Sequence, residues 1–307
     1  MSDRLADKVW MNGEMVDWED ARIHLVSHVI HYGSSVFEGI RCYDTPRGPR
    51  IFRLRDHLRR LYDSARIYRM EIPYGIEQLE RAAVDLIRAN SFTECYIRPI
   101  VYRGTGGVGV NPLKNRTETA ILVWKWGKYL GQDAIEKGID VCVSSWNRQS
   151  SNTFPPIAKC GSNYMNSQLI KMEAVLNGYA EGIALALDGT VSEGSGENIF
   201  LVRGGVLYTP PVGSSILLGI TRDTVIHLAK EAGHEIREEG IPRGMLYVAD
   251  EAFFTGTAAE ISPIRSIDRI PVGSGEPGPV TRRLQQAYFG LICGDLADPH
   301  CWLRELS

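Results

Sequence analysis

The sequence predicts an α+β protein of two domains, and three observations carry that reading. Its 307 residues are too many for one small module and suit one large domain or two of about 150 residues each. Helical apolar periodicity appears twice among strand-like runs in the first 128 residues. Beyond residue 180 the strands are joined mostly by hairpins, unlike the strand-helix alternation of a doubly wound sheet.

Val9–Met11 and Glu14–Val16 flank Asn12-Gly13, a favoured two-residue hairpin turn. Leu54, Leu58, Leu61, Ala65 and Tyr68 recur at intervals of four, three, four and three, which is one helical face. Leu79, Ala82, Ala83, Leu86 and Ile87 give a second helix ending near Asn90, and Tyr96–Tyr102 and Thr119–Trp126 read as buried strands. Between those strands, Gly104–Gly109 fits the G-x-G-x-x-G spacing of a dinucleotide fingerprint. Val110-Asn111-Pro112 follows it in place of a helix, so it reads as a loop.

The polar, glycine-containing stretch Gly127–Gln132 suggests a division into a small domain over 1–128, a linker over 129–134 and a large domain over 135–307 that contains Lys159. In the large domain, Ile139–Ser145 reads as a strand, Met165–Asn177 as a helix closed by Gly178, and Ile183–Leu187 as a strand running into Asp188-Gly189. Asn198–Val202 and Val206–Tyr208 repeat the hairpin signal around Gly204-Gly205. Thr221–Ala232 reads as a helix with Thr221 as N-cap and Gly233 just past its end, and Pro271–Pro279 as a loop.

Hydrophobic residues at 44% and charged residues at 23% allow a sizeable core, and a net charge of -3 gives no reason to expect a nucleic-acid or anionic-membrane partner. Cys42, Cys95, Cys142, Cys160, Cys293 and Cys301 form no C-x-x-C pair, which argues against structural zinc and suggests thiols in a reducing compartment. Met1–Met11 lacks an apolar segment and nowhere do 18 apolar residues run together, so the expectation is a cytoplasmic protein. His24, His28 and His31 have helical spacing, but no third ligand type accompanies them and core or surface histidines are the expectation.

Lys159 is the only charged side chain between Arg148 and Lys171. Apolar and small neighbours ahead of a helix make it a candidate for a desolvated amine that attacks a carbonyl, although an exposed loop lysine would have the same neighbours. Glu193-Gly194-Ser195-Gly196-Glu197 places two glutamates in a turn that lets backbone approach a ligand, or forms an ordinary tight loop. Leu217–Arg222 runs into a helix start suited to a phosphate, and Thr255-Gly256-Thr257-Ala258 offers a second small anion nest, though Thr221 and Thr257 fit mere caps as well.

In order along the chain, Tyr32-Gly33, Phe37-Glu38-Gly39-Ile40-Arg41, Lys159 with Tyr164, Glu193–Phe200, Leu207–Thr209, Leu217–Arg222 and Gly256-Thr257-Ala258 resemble the fold type IV pyridoxal-phosphate enzymes, most closely the branched-chain amino-acid aminotransferases. The resemblance spans nearly the whole chain. It implies two domains of the D-amino-acid aminotransferase-like architecture that hold pyridoxal 5'-phosphate at their interface. Lys159 would carry the cofactor and shuttle the proton between Cα and C4′, Glu193 would face the pyridine nitrogen, and Tyr164 the ring O3′. Arg60, Ile220, Thr221 and Thr257, with Leu217, Gly219 and Gly256, would cradle the phosphate.

For substrates it implies Tyr32, Phe37, Gly39, Tyr96, Trp126 and Tyr129 as an apolar wall, Arg98 for a distal carboxylate, and Thr257 and Ala258 for the α-carboxylate. The implied reaction is transamination between Leu, Ile or Val and 2-oxoglutarate, by a homodimer or larger homo-oligomer with small-molecule substrates and no metal. D-amino-acid transamination and aminodeoxychorismate lyase chemistry would use the same Lys159 and Glu193, and a non-catalytic binding protein is the alternative from another class.

Overall fold

The computed structural model describes residues 4–127 and 132–306. By its contacts the chain divides into two compact units. The first comprises Met1–Trp126, Ala158–Ser162 and Leu291–Ser307, and the second Gly127–Ile157 and Asn163–Gly290.

In the first unit, β1 (Lys8–Met11) and β2 (Glu14–Asp17) form the expected hairpin, with Asn12 and Gly13 at φ 50° and 98° in the left-handed turn that favours such residues. α1 (His28–Tyr32), β3 (Ser35–Phe37), β4 (Ile40–Tyr43) and β5 (Arg50–Phe52) lead to α2 (Leu54–Ile67) and α3 (Ile76–Ala89). The long strands β6 (Cys95–Arg103) and β7 (Thr117–Trp124) then pair with each other, and Gly104–Gly109 lies in the loop between them.

The second unit contains α4 (Gln132–Lys137), β8 (Ile139–Val143), α5 (Tyr164–Leu176), β9 (Glu181–Leu185), β10 (Val191–Gly194), β11 (Asn198–Arg203), β12 (Val206–Thr209) and α6 (Ile220–Glu231). β13 (Ile236–Glu238), β14 (Glu251–Gly256), β15 (Glu260–Ile267), β16 (Ile270–Pro271) and α7 (Pro279–Ile292) complete its elements, and β17 (Leu303–Glu305) follows at the C-terminus.

The first sheet has the order β17-β5-β4-β6-β7-β1-β2 with β3 on β6, and its pairs are antiparallel. Leu54, Leu58, Leu61 and Ala65 of α2 and Leu79, Ala83, Leu86 and Ile87 of α3 join Ile40, Ile97, Ile121 and Val123 of the sheet in one buried cluster, so the periodicity read from the sequence is the core face. The second sheet runs β10-β9-β8-β15-β14-β11-β12-β13 with β16 on β15. It is mixed, because β8 lies parallel to both β9 and β15, and β12 to β13. Its core gathers Val141, Ile183, Ile199, Leu201, Phe254 and Ile264.

The expected domain division needs correcting in two places. Ala158–Ser162, with Lys159, groups with the first unit because backbone ties it there: Val36 bridges to Cys160, the Phe37 N–H donates to the Lys159 carbonyl at 3.0 Å, and the Lys159 N–H donates to Ser64 Oγ at 3.0 Å. Leu291–Ser307 also belongs to the first unit, where β17 pairs with β5. The contact boundary falls between Trp126 and Gly127, and residues 129–131 of the expected linker lie outside the described residues. Among the described residues no helix is long and apolar enough to cross a membrane.

Leu58 is fully buried on the α2 face. Leu58→Ala is expected to cost about 2–5 kcal/mol through lost transfer energy and a residual cavity. Urea denaturation followed by circular dichroism checks this, and a loss under about 1 kcal/mol, on the order of a surface substitution, would contradict the packing described.

Candidate active site

The first unit builds a cluster around Lys159. The helix α2 presents His57, Arg60 and Ser64 at i, i+3 and i+7, one face, to the end of β3 and to the Lys159 segment. Glu38, fully buried, accepts Arg60 Nε–H at 2.7 Å and Nη2–H at 2.8 Å as a bidentate pair, and takes His57 Nδ1 at 2.7 Å. Burial pushes the Glu38 carboxyl up, but Arg60 and then His57 outweigh it and hold the group well below the usual carboxylate range. Burial drives His57 toward its neutral form against the pull of Glu38, with the charges of Arg60 and Lys159 adding to the effect, so Nδ1–H is the donor. Lys159 Nζ sits 5.0 Å above the Phe37 ring centre.

Along β6, Tyr96 and Arg98 project to one face, as alternation requires. The Arg98 guanidinium lies 4.6 Å from the Phe37 ring centre, 5.3 Å from that of Tyr96 and 5.5 Å from that of Trp124, and its Nη2 donates to Tyr96 Oη at 3.3 Å. Its Nε is buried without a hydrogen-bond partner. Trp126 packs edge-on against Tyr96 at 4.4 Å. A Cβ on Gly39 would collide with Tyr96 Oη, so only glycine lets that hydroxyl occupy its place. Phe37, Gly39, Tyr96, Arg98 and Trp126 therefore come together. Tyr32 stands apart from that set: it is exposed, lies tilted against His28 with ring centres 4.4 Å apart, and donates to the Val108 carbonyl at 3.1 Å. Tyr129 lies outside the described residues. His24, His28 and His31 bond to the Val26 N–H, to Ser34 and Gly109, and to the Leu25 carbonyl.

The second unit builds a cluster around Glu193, at the end of β10. Glu193 Oε2 accepts the Leu217 N–H at 3.0 Å and Asn198 Nδ2–H at 3.1 Å, while Oε1 lies 3.1 Å from Arg148 Nη2. Asn198 also donates to the Leu217 carbonyl at 2.8 Å, and a Cβ on Gly219 would collide with Asn198 Oδ1. That close approach requires glycine at 219, and Gly219, not the expected Thr221, is the N-cap of α6. With glycine as its N-cap, the α6 start presents the Ile220–Arg222 backbone end, whose partial positive charge suits an anion. Thr257 and Ala258 occupy the tight turn from β14 to β15, beside Gly256, and the Thr255 hydroxyl is buried without a partner. Tyr164 is the half-buried first residue of α5.

Arg148 and His57 carry no local sequence signal, and Glu38 enters only as a member of the Phe37–Arg41 motif; their spatial partners reveal the contacts they make. Glu197, the second glutamate of the turn, is buried and accepts the Gly196 N–H at 3.0 Å. Burial pushes its carboxyl up to about 8, and Glu181 adds to the rise.

With each unit taken by itself, the residues present suit pyridoxal phosphate by donor chemistry: the first offers an amine on an aromatic face, and the second a buried carboxylate suited to a pyridinium, a helix start suited to a phosphate, and a buried hydroxyl lacking a partner. The model of the class IV amino-transferase family matches residues 35–267. The branched-chain-amino-acid aminotransferase of Escherichia coli strain K12 is 54% identical over 308 residues, covering 100% of both chains. The crystal structure of the Escherichia coli branched-chain amino acid aminotransferase superposes with a TM-score of 0.97 at 54% identity, over 98% of this chain and 100% of that one. The branched-chain amino acid aminotransferase from Thermobaculum terrenum, in its PLP-bound holo-form, gives 0.92 at 38% identity, over 99% of both chains.

Because the folded-state value of Glu197 is raised from 4.5 to about 8, the folded chain keeps a proton there that the unfolded chain releases. Its contribution to stability is whole below pH 4.5 and is lost as pH rises to about 8. Glu197→Gln should remove that loss, stabilising the protein by more than about 1 kcal/mol at pH 8 and leaving it little changed near pH 4.5. Denaturant melts at the two pH values measure the difference, and equal effects at both would refute it.

Proposed function

The chain belongs to the class IV amino-transferase family, whose cofactor is pyridoxal phosphate, and we propose that it transfers amino groups between branched-chain L-amino acids and 2-oxoglutarate. The observation that carries the substrate reading is the setting of Arg98. A guanidinium among Phe37, Tyr96 and Trp124, with a buried Nε lacking a partner and no carboxylate paired with it among the described residues, suits a site that accepts both an alkyl group and a distal carboxylate.

When bound, pyridoxal phosphate supplies the electron sink that makes the substrate Cα–H bond acidic. Lys159 would hold the cofactor, and its Nζ would carry the proton between the substrate Cα and C4′, delivering to one carbon the proton taken from the other. Glu193 keeps a negative charge against the ring nitrogen. Tyr164 donates to the ring O3′. Ile220, Thr221 and Thr257 bind the phosphate, with Leu217, Gly219 and Gly256 shaping the backbone and Arg60 held by Glu38 as a further cation. Thr257 and Ala258 N–H groups take the α-carboxylate, and Phe37, Gly39, Tyr96 and Trp126, with Tyr32 and Tyr129, form the wall for the alkyl group and exclude water from it.

We assign the chain to a homo-oligomer, at least a dimer. The support is an exposed apolar surface: His28 N–H binds the Gly104 carbonyl and Tyr32 that of Val108, joining the α1 segment to the β6–β7 loop, and Leu25, Ile30, Val108, Val110 and Leu113 there are exposed. Cytoplasmic location is the matching assignment, supported by the thiols of Cys42, Cys95, Cys142 and Cys160 in the interior and of Cys301 at the surface.

Borohydride reduction of the purified holoenzyme followed by peptide mapping is expected to place the pyridoxyl group on Lys159, and a label on another lysine alone would overturn the assignment. Lys159→Ala should retain the cofactor noncovalently while transamination falls by orders of magnitude, about 4 kcal/mol or more of transition-state stabilisation. Arg98→Ala should lower kcat/KM for glutamate and 2-oxoglutarate far more than for leucine and its keto acid, since an unpaired buried carboxylate costs about 3–5 kcal/mol and the alkyl group loses only packing. Equal losses for both substrates would show Arg98 to be structural or to bind the shared α-carboxylate.

A further inference from the structure

Arg148 is a charged side chain of the second unit that the reading above does not use, and its contacts are unusually complete. It follows β8 and is 5% exposed, and its N–H donates to the Leu185 carbonyl at 2.8 Å, which fixes its backbone to β9. Nη1 donates to Asn166 Oδ1 at 3.2 Å and to Ser167 Oγ at 2.9 Å, both in the first turn of α5 that begins at Tyr164. Nη2 donates to the Gly194 carbonyl at 2.7 Å and the Ser195 carbonyl at 3.0 Å, and lies 3.1 Å from Glu193 Oε1. One planar fork thus ties the Glu193 turn to the helix that carries Tyr164. Its Nε is left buried and unpartnered, so the fork is oriented by its two terminal nitrogens.

We propose that Arg148 is a positioning residue for transamination: its charge holds Glu193 as the weaker base of the pair, so that the proton shared with the cofactor's ring nitrogen stays on the ring. The inference rests on the reading that Glu193 faces that nitrogen. A proton between a carboxylate and a pyridine goes to whichever is the stronger base, and a guanidinium on the carboxylate lowers its proton affinity. The other charges near by do not take Arg148 away from this task. Lys171 is paired with Glu181 at 2.9 Å, and burial, together with Glu181, drives Glu197 toward its neutral form although the charges of Lys171 and Arg148 act against that. Among the described residues Glu193 is the carboxylate paired with Arg148. Asn198 and Leu217 hold Oε2 from the other side, so the carboxylate has neither rotational freedom nor an uncompensated charge.

The test uses holoenzyme loaded with pyridoxal phosphate labelled with nitrogen-15 in the ring, whose chemical shift reports ring protonation. In Arg148→Met the pH midpoint of that signal should fall by at least about one unit, and kcat by about tenfold or more, with KM for leucine changed much less. Arg148→Lys, which keeps the charge, should restore the midpoint. Arg148→Gln keeps a donor for the Gly194 and Ser195 carbonyls and reads the same shift if the methionine variant does not fold. A wild-type midpoint in the folded, loaded Met or Gln variant would overturn the proposal, as would a Lys variant shifted as far as they are. Glu193→Gln separates the two layers. If it moves the ring signal while Arg148→Met does not, the Arg148 inference alone fails; if neither moves it, the Glu193 assignment fails as well.

Discussion

Lys159 is placed by main-chain hydrogen bonds before its side chain does anything. The Phe37 N–H to the Lys159 carbonyl, the Lys159 N–H to Ser64 Oγ, and the bridge between Val36 and Cys160 make the lysine segment an extension of β3 and α2. Much of the first unit's chemistry is referenced to that frame. Phe37, whose ring lies under both Lys159 and Arg98, is the residue that makes the bond, and Glu38 beside it fixes Arg60 on the same helix as Ser64. A shift of this short segment would move the amine, the aromatic wall and the guanidinium pair together, which is how a loop residue acquires the placement of a residue on a rigid element.

The second unit solves a different problem, that of keeping carboxylates in a dry turn. Burying a charge is costly unless donors surround it. Glu193 meets three donor residues, one of them cationic, and glycines make the approach possible: the ideal Cβ of Gly219 would collide with Asn198 and that of Gly194 would stand 2.8 Å from Glu197 Oε2. Glu197, four residues on, has one backbone donor and is driven toward its neutral form by burial. The same turn therefore surrounds one carboxyl group with three donor residues and leaves the other, pushed up by burial, with a single backbone donor.

Local patterns were readable where the physics is local. The apolar faces of α2 and α3, the Asn12-Gly13 and Gly204-Gly205 turns and the glycine-rich loop after β6 follow from periodicity and backbone preference, and the structure has them. Pairings between distant residues were not readable. Glu38 with His57 and Arg60, and Arg148 with Glu193, join side chains 19, 22 and 45 positions apart with no spacing rule linking them. A threonine is a good cap, so the sequence suggests Thr221 at the start of α6; the helix begins after Gly219 instead, and what requires glycine there, room for Asn198, comes from another strand. Lys159 shows a related effect: sequence continuity suggests the large domain, while the backbone bonds at Phe37 and Ser64 group its segment by contacts with the first unit.

The first unit is assembled from three separate stretches of chain, and its sheet has β17 as an edge strand beside β5. On a ribosome adding roughly 5–20 residues per second, the 1–126 stretch is finished many seconds before its last strand exists. During that interval the Arg50–Phe52 strand has an open edge, a place where another nascent chain can pair. The β5 edge therefore gains its partner only after most of the second unit has been made, so conditions that slow translation between the two lengthen the time for which that edge stays open.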